Sequence, residues 1–404
     1  MIQRKRGARA ARGSGMEAPR GVGSRAMTIE VRHIEPGARP ALFLAAADRV
    51  FAGDPAWIAP LRFEIEQRLH PKKNPLFAHT EAALFVALED GKPVGRISAS
   101  VDREWQRTWN DKTGHFGFFD TVDDPRVASA LFHEAEAWLR SRGVDRVLGP
   151  MSLSANEEIG LLVEGFEHSP ALMMGHSRAW QGALAEACGY AKEKDLFAWR
   201  FDAETPLTKR ALKAWEEVKA LPEITLRSID TRRLEEELAI IVDIYNEAWA
   251  GKWGFVPITS AEVAKMAEDM KLVLDPDVAF VAVLDGEPVG MCVMIPNLNE
   301  AIADLNGSLF PLGWAKLLWR VKVRRPRSTR LILLGIRERI RKNVKRYGGL
   351  SAAMYVEVAR RGAAKGYTWS ELSWTREDDA PINVGIKAIG GRVYKRYRVY
   401  GKSL

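Results

Sequence analysis

The apolar positions of the chain contain two runs that read almost alike, Phe85-Val-Ala-Leu-Glu-Asp-Gly-Lys-Pro-Val-Gly95 and, 195 residues later, Phe280-Val-Ala-Val-Leu-Asp-Gly-Glu-Pro-Val-Gly290. Each is an apolar strand, an Asp-Gly pair suited to a tight turn with positive φ, and a second strand opening on Pro-Val-Gly, which predicts a β-hairpin. A repeat at that spacing means two copies of one domain, expected over 27–205 and 206–404. In the second copy, 224–230 alternates as a strand and Arg232 to Trp249 repeats apolar residues at helical spacing. The run Thr329 to Ile336 suits a central strand, and the loop Arg337 to Gly349 feeds an amphipathic helix from Leu350 to Gly366. Strands over Thr368 to Trp374 and Arg392 to Tyr400 complete the copy. This order predicts a mixed α/β fold of the α+β type, each copy a twisted mixed sheet flanked by helices. The first copy opens on an alternating strand at Met27 and carries a strand at Phe118 to Val122 before a helix at Arg126 to Arg142.

A length of 404 residues fits this division, and 47% hydrophobic with 28% charged residues leaves ample core. Nothing approaches the run of about 18 apolar residues that a spanning helix needs. Cys188 and Cys292 fall in different copies without metal or redox spacing, which points to a reducing, cytoplasmic compartment and to no metal site. Charge matters once it is located. Residues 1–26 carry seven bases against Glu17 and so hold most of the net +8, in a tail read as disordered or as sequence ahead of a true start at Met27. From Lys316 to Arg346 there are thirteen Lys or Arg and one acid, Glu338. Such a stretch suits phosphates or an anionic surface.

Chemistry is most legible at Arg346-Tyr-Gly-Gly-Leu-Ser351, where Gly348 and Gly349 immediately precede a helix. Backbone N–H groups and the positive end of the helix dipole converge there, and a pyrophosphate fits. The first copy offers Asp123-Asp124-Pro125 at the corresponding strand-to-helix junction, and two carboxylates repel a phosphate. Gly175-His-Ser177-Arg-Ala179 approaches a nucleophile elbow, but all seven histidines precede Ser177, against the required order. No HExxH, Walker loop or dinucleotide fingerprint is present.

The loop Arg346-x-x-Gly349-x-Ser351 resembles the coenzyme A loop of the GNAT acyltransferase superfamily, Gln/Arg-x-x-Gly-x-Gly/Ala, with Ser in the last place. Glu371-Leu-Ser-Trp374-x-x-Glu377-Asp-Asp379 and Ile389-Gly-Gly391 to Tyr400 are similar to that family's final strand-helix-strand segment, and the first copy ends alike at Ala187 to Tyr190 and Trp199. The resemblance implies a tandem pair in which only the second copy binds acyl-CoA, through Arg346, Gly348, Gly349, Leu350, Ser351 and Asn383. The second copy has no histidine, so a base must come from Glu371, Glu377 or Asp379 or from a water one of them holds. The family's usual tyrosine acid is missing between Trp374 and Gly391, and Tyr394 and Tyr397 are the nearest substitutes.

Two further segments bear on the acceptor. Ser152, Ser154, Asn156 and Glu157 lie beside an apolar run and are candidates to line the substrate site. In the insert 308–325, Phe310, Trp314, Leu317, Leu318 and Val321 share one face of a helix and Lys316, Arg320 and Arg324 another. With Trp319, this suits an interfacial helix on an anionic membrane. The phrases Gly149-Pro, Gly160 to Phe166 and Tyr394 to Tyr400 are similar to a bacterial group that includes ceramide synthases. That similarity implies an acyl-CoA-dependent N-acyltransferase acting on a lipid amine such as a sphingoid base, peripheral at the inner membrane. The competing readings are an acyltransferase for a small-molecule or peptide amine and a non-catalytic module holding a membrane or another anion. Nucleic acid is disfavoured, because the bases are interleaved with apolar rather than stacking-competent polar residues.

Overall fold

A computed structural model describes residues 28–404 apart from Leu272; the basic tail 1–26 lies outside the described residues. The strands are β1 (Ile29–Ile34), β2 (Thr80–Glu89), β3 (Lys92–Asp102), β4 (Thr113–Thr121), β5 (Arg146–Gly149), β6 (Leu161–Glu164), β7 (Ala191–Asp202), β8 (Ile224–Ser228), β9 (Ala279–Leu284), β10 (Glu287–Pro296), β11 (Ser328–Ile336), β12 (Trp369–Arg376) and β13 (Arg392–Ser403). Both repeated hairpins form, β2–β3 and β9–β10. Their turns place Asp90 and Gly91 at φ 49° and 74°, and Asp285 and Gly286 at 48° and 84°. That conformation is open to Asp and Gly and closed to β-branched residues, which is why the pair recurs.

All thirteen strands join one sheet in the order β1-β2-β3-β4-β5-β13-β7-β12-β11-β10-β9-β8, with β6 adding to β13. The order is palindromic if β1 to β5 are matched with β8 to β12, because the two halves have exchanged their last strands. β13 lies beside β5, and β7 lies beside β12. β7 and β13 then pair antiparallel with each other, Ala191 opposite Gly401 and Arg200 opposite Arg392. The boundary at 205/206 is thus a feature of the sequence repeat across which the sheet runs unbroken.

Helices cover both faces. Leu350–Ala364 buries Leu350, Ala353, Met354, Val356 and Val358 in a core with Phe280, Cys292 and Leu331. Burial of each large apolar side chain contributes roughly 1.5–3 kcal/mol, and this is what fixes the helix start relative to β11. The other face of the second half packs Leu234–Trp249 on β9 and β10. Polar contacts tie the halves together beyond the sheet. Trp109 Nε1 donates to Phe255 O at 3.0 Å. His79 Nδ1 lies 3.0 Å from the fully buried Asp102 and its Nε2 lies 3.7 Å from Glu262. The hydrogen bond to Asp102, with the Glu262 carboxylate close by, raises the His79 pKa to about 10.

A histidine whose folded pKa lies above its unfolded value of about 6.5 stabilises the fold fully below that value, and the contribution disappears as pH rises toward the folded pKa. The melting temperature of the wild type is therefore expected to fall from pH 7 to pH 10. His79→Gln should remove much of that slope. Equal slopes in thermal scans of the two proteins would show that His79 does not join the halves through charge.

Candidate active site

β11 and β12 are the parallel pair of the second half, and they match only over Ser328–Leu331 against Trp369–Leu372. Beyond that point they part, β11 staying with β10 and β12 turning to β7. Ile332, Leu333 and Leu334, just past that point on β11, are half-buried. In the first half the equivalent opening between β4 and β5 is filled by its own chain. The Met151 N–H donates to Phe116 O at 2.7 Å, and a Cβ on Gly117 would lie 2.3 Å from Met151 O.

The helices that follow β4 and β11 differ in their first turn. Helix Pro125–Arg140 is capped by Asp124, whose carboxylate accepts the Arg126 N–H at 2.8 Å. An anion arriving there meets a carboxylate already in place. Helix Leu350–Ala364 starts at Gly349 with no side chain capping it, so its first N–H groups keep their pull on an anion. Gly348 has no room for a side chain, since a Cβ would stand 2.5 Å from Val344 O. The loop expected over Arg337 to Gly349 holds two short helical turns, Glu338–Lys342 and Val344–Tyr347, which bring its bases to the helix start. Arg346 is exposed and pairs with Glu223 at 2.6 Å, a contact in water that a phosphate can compete for. Leu350 sends its side chain to the core, so only its backbone faces the loop, while Ser351 is exposed.

The candidate carboxylates separate clearly. Glu371 is fully buried on β12, next to where the strands part. Its Oε1 accepts Ser373 Oγ–H at 2.5 Å and its Oε2 accepts the Tyr394 hydroxyl. Arg330 Nε and Lys395 Nζ each stand 3.9 Å away, both almost wholly buried. Burial lowers the pKa of both cations. Burial also raises both phenols, Tyr394 further through its contact with Glu371. The Tyr397 hydroxyl is buried with no hydrogen-bond partner among the described residues.

Glu377 and Asp379 lie past the end of β12. Glu377 is bound to Lys192 at 2.7 Å and to the Asp195 N–H at 3.0 Å, so it clamps β12 to β7. Asp379 accepts from Arg376 at 3.1 Å and lies 3.7 Å from Lys252. Asn383 has both ends of its amide engaged, accepting Thr375 Oγ–H at 2.7 Å and donating to Arg376 O at 2.8 Å.

The first half closes over this region. Asn156 donates to Val256 O at 3.2 Å and accepts the Tyr245 hydroxyl at 3.0 Å, and Glu157 pairs with Arg68 at 2.6 Å. His168 of the first half lies against Tyr394, the two rings tilted with centroids 5.1 Å apart. Ser177 is buried and its hydroxyl accepts the Leu162 N–H, which occupies the residue that looked like an elbow serine. Sequence reasoning missed Arg330, Ser373 and Lys395. For Arg330 the available signal was a lone base ahead of an apolar strand run, whereas Lys395 stands in β13 among Arg392, Arg396, Arg398 and Lys402, where no local pattern singles it out.

The insert departs from the single long helix expected. It forms a helix over Gly313–Trp319 and a wider turn over Arg320–Arg324. Leu317 turns inward onto Leu61, Ile302 and Leu305, and Arg320 is bound to Asp304 and to Ala301 O. Val321 is half-buried beside them. Outward stand Phe310 at 87% exposure, Trp314 at 56% and Trp319 at 53%, with Leu312, Leu318 and Val323. So much contiguous sequence of exposed apolar residues marks a contact surface.

No protein-family model matches the chain. It is 41% identical over 366 residues to the bacterial ceramide synthase of Caulobacter vibrioides (strain NA1000 / CB15N), covering 90% of this chain and 94% of that protein. It is 40% identical over 363 residues to protein YghO of Escherichia coli (strain K12), covering 90% and 92%. Among solved structures, a tandem GNAT protein from the clavulanic acid biosynthesis pathway matches 93% of this chain and 98% of its own, with TM-score 0.54 at 13% identity. The fold is the tandem GNAT arrangement.

Proposed function

Because the chain belongs to the family that holds the bacterial ceramide synthase and YghO, and is an N-acyltransferase of tandem GNAT fold, we propose that it transfers a fatty acyl group from acyl-CoA to the amine of a membrane lipid, a sphingoid base being the class suggested by that relative's name. The contrast between the halves carries the reading. One half caps its helix with Asp124 and fills the space beside β4 with its own chain, and the other leaves its helix start at Gly349 uncapped and ends the β11–β12 pairing at Leu331 and Leu372. One acyl-CoA then binds per chain, its pyrophosphate on Arg346, Gly348, Gly349, the Leu350 backbone and Ser351. Asn383, already engaged at both ends of its amide, borders the pantetheine arm as part of the wall.

In the reaction the amine nitrogen bonds to the thioester carbon as the carbon–sulfur bond breaks. The nitrogen gives up a proton and the thiolate takes one. Of the candidate carboxylates, Glu371 is the one set at the parting of the strands, and it is assigned the proton from nitrogen. Tyr394, kept protonated by burial and by its bond to Glu371, is the donor to sulfur, with Tyr397 as the neighbouring phenol. Glu377 and Asp379 hold the end of β12. No helix among the described residues is long and apolar enough to cross a membrane, so lipid is reached from the surface, and the insert supplies the means.

The direct test incubates the protein with acyl-CoAs of graded length and either long-chain or water-soluble amines in vesicles, and measures free thiol and amide. Long-chain amines are expected to release thiol. Release with water-soluble amines alone would remove the lipid from the assignment. A second measurement concerns the insert. Trp314 and Trp319 changed to Ser, with Lys316 and Arg324 changed to Glu, should cut co-sedimentation with anionic vesicles by at least about tenfold, since aromatic insertion and roughly 1 kcal/mol per base are both lost. Acyl-CoA binding should be retained. Co-sedimentation like the wild type would identify the patch as a protein contact.

A further inference from the structure

The segment Ser169 to Met173 belongs to the first half, yet its backbone is held by side chains of the second. Lys395 Nζ donates to Ser169 O at 2.6 Å, Asn299 Nδ2 to Pro170 O at 2.9 Å and Arg330 Nη1 to Leu172 O at 2.7 Å, while the Leu172 N–H donates to Asn297 Oδ1 at 3.0 Å. Two of these donors, Lys395 and Arg330, flank Glu371, and Arg330 also reaches Ser373, which is bound to Glu371. The other two residues stand at the root of the insert, where Asn299–Ile302 forms a short helix that leads to the exposed aromatics. The strap therefore lies between the residues that flank the buried carboxylate and the stretch of chain that leads into the insert. Met173 closes it with φ 61° and 44% exposure. A long unbranched side chain in the left-handed region is uncommon and marks a position held by its surroundings.

We propose that this strap is the acceptor-side wall of the second half's site, and that Met173 sets the preference for a long apolar chain on the amine. The proposal rests on the lipid-amine reading above. An amine lifted from a bilayer at the insert meets the strap before it reaches Glu371. A thioether there offers the alkyl chain a flexible apolar contact that a short amine does not use.

The test compares wild type, Met173→Asn and Met173→Leu in the full chain, with one long-chain and one water-soluble primary amine at saturating acyl-CoA. Asn accepts the left-handed backbone and removes the apolar contact, and Leu restores apolar volume. For Met173→Asn, KM for the long-chain amine is expected to rise roughly tenfold with kcat unchanged, on the scale of losing a partly buried apolar contact. KM for the water-soluble amine and acyl-CoA affinity should stay as in wild type, and Met173→Leu should return the long-chain KM. Unchanged long-chain KM, or equal changes for both amines, overturns the wall while leaving the acyltransferase assignment intact. So does a loss of vesicle binding that matches the loss in activity, because Met173 is then only part of the membrane contact. A wild type inactive on both amines overturns the function and the wall together.

Discussion

Glu371→Gln is expected to lower kcat by about 10²- to 10⁴-fold, the range supplied by a positioned general base, with little change in acyl-CoA affinity. The size follows from the lack of a substitute. The second half has no histidine, Glu377 is committed to Lys192 and the Asp195 backbone, and Asp379 is bound to Arg376. The substitution also removes the anion between Arg330 and Lys395, and breaking a buried pair from one side costs about 3–5 kcal/mol in the worst case. Thermal melting must therefore accompany the kinetics. If the variant does not fold, Tyr394→Phe keeps every charge and removes the proposed donor to sulfur. That variant should lose at least about tenfold in kcat, within the range of one general acid. A folded Glu371→Gln enzyme with full turnover would eliminate Glu371 as the base.

Gly349→Asp is expected to abolish measurable acyl-CoA binding while leaving the fold intact. The effect comes from the uncapped start of helix Leu350–Ala364. A carboxylate at that position puts a negative charge where the pyrophosphate would lie and repels it. The backbone accepts the change, since Gly349 has φ −83° and an added Cβ would lie 3.4 Å from Ala214 Cβ, an ordinary contact. The first half already shows the capped form in Asp124. The reverse change, Asp124→Gly, should not create a second binding site, because the chain from Gly149 to Ser152 still fills the opening beside β4. Calorimetry that finds wild-type affinity in Gly349→Asp would remove the helix start from the cofactor site.

The fold was legible wherever it depends on local chemistry. Asp-Gly turns, apolar strand runs and the glycine pair before Leu350 are short-range signals, and each marks an element that forms close to its expected limits. The insert was read less well. Its outward aromatics were identified, but Leu317, Val321 and Arg320 were assigned to faces of one regular helix, whereas Leu317 packs against the first half at Leu61 and Arg320 is taken by Asp304. Periodicity reports which residues share a helix face, and it does not report which neighbour covers that face.

By itself the sequence determined that there are two related halves, that the glycine pair opening a helix among bases occurs in only one of them, and that this half holds no histidine, so that any base it offers is a carboxylate or a water held by one. These follow from residue type and spacing along a few turns of chain. The tertiary structure alone decided that the halves exchange β7 and β13, that Arg330 and Lys395 converge on Glu371, and that the strap Ser169 to Met173 is laid over that cluster. Those contacts join residues up to 226 positions apart. They depend on pairing between strands whose alternation is equally compatible with several partners, so no local pattern specifies them. Burial then separates the carboxylates, leaving Glu371 enclosed at the parting of the strands and Glu377 and Asp379 bound at the end of β12.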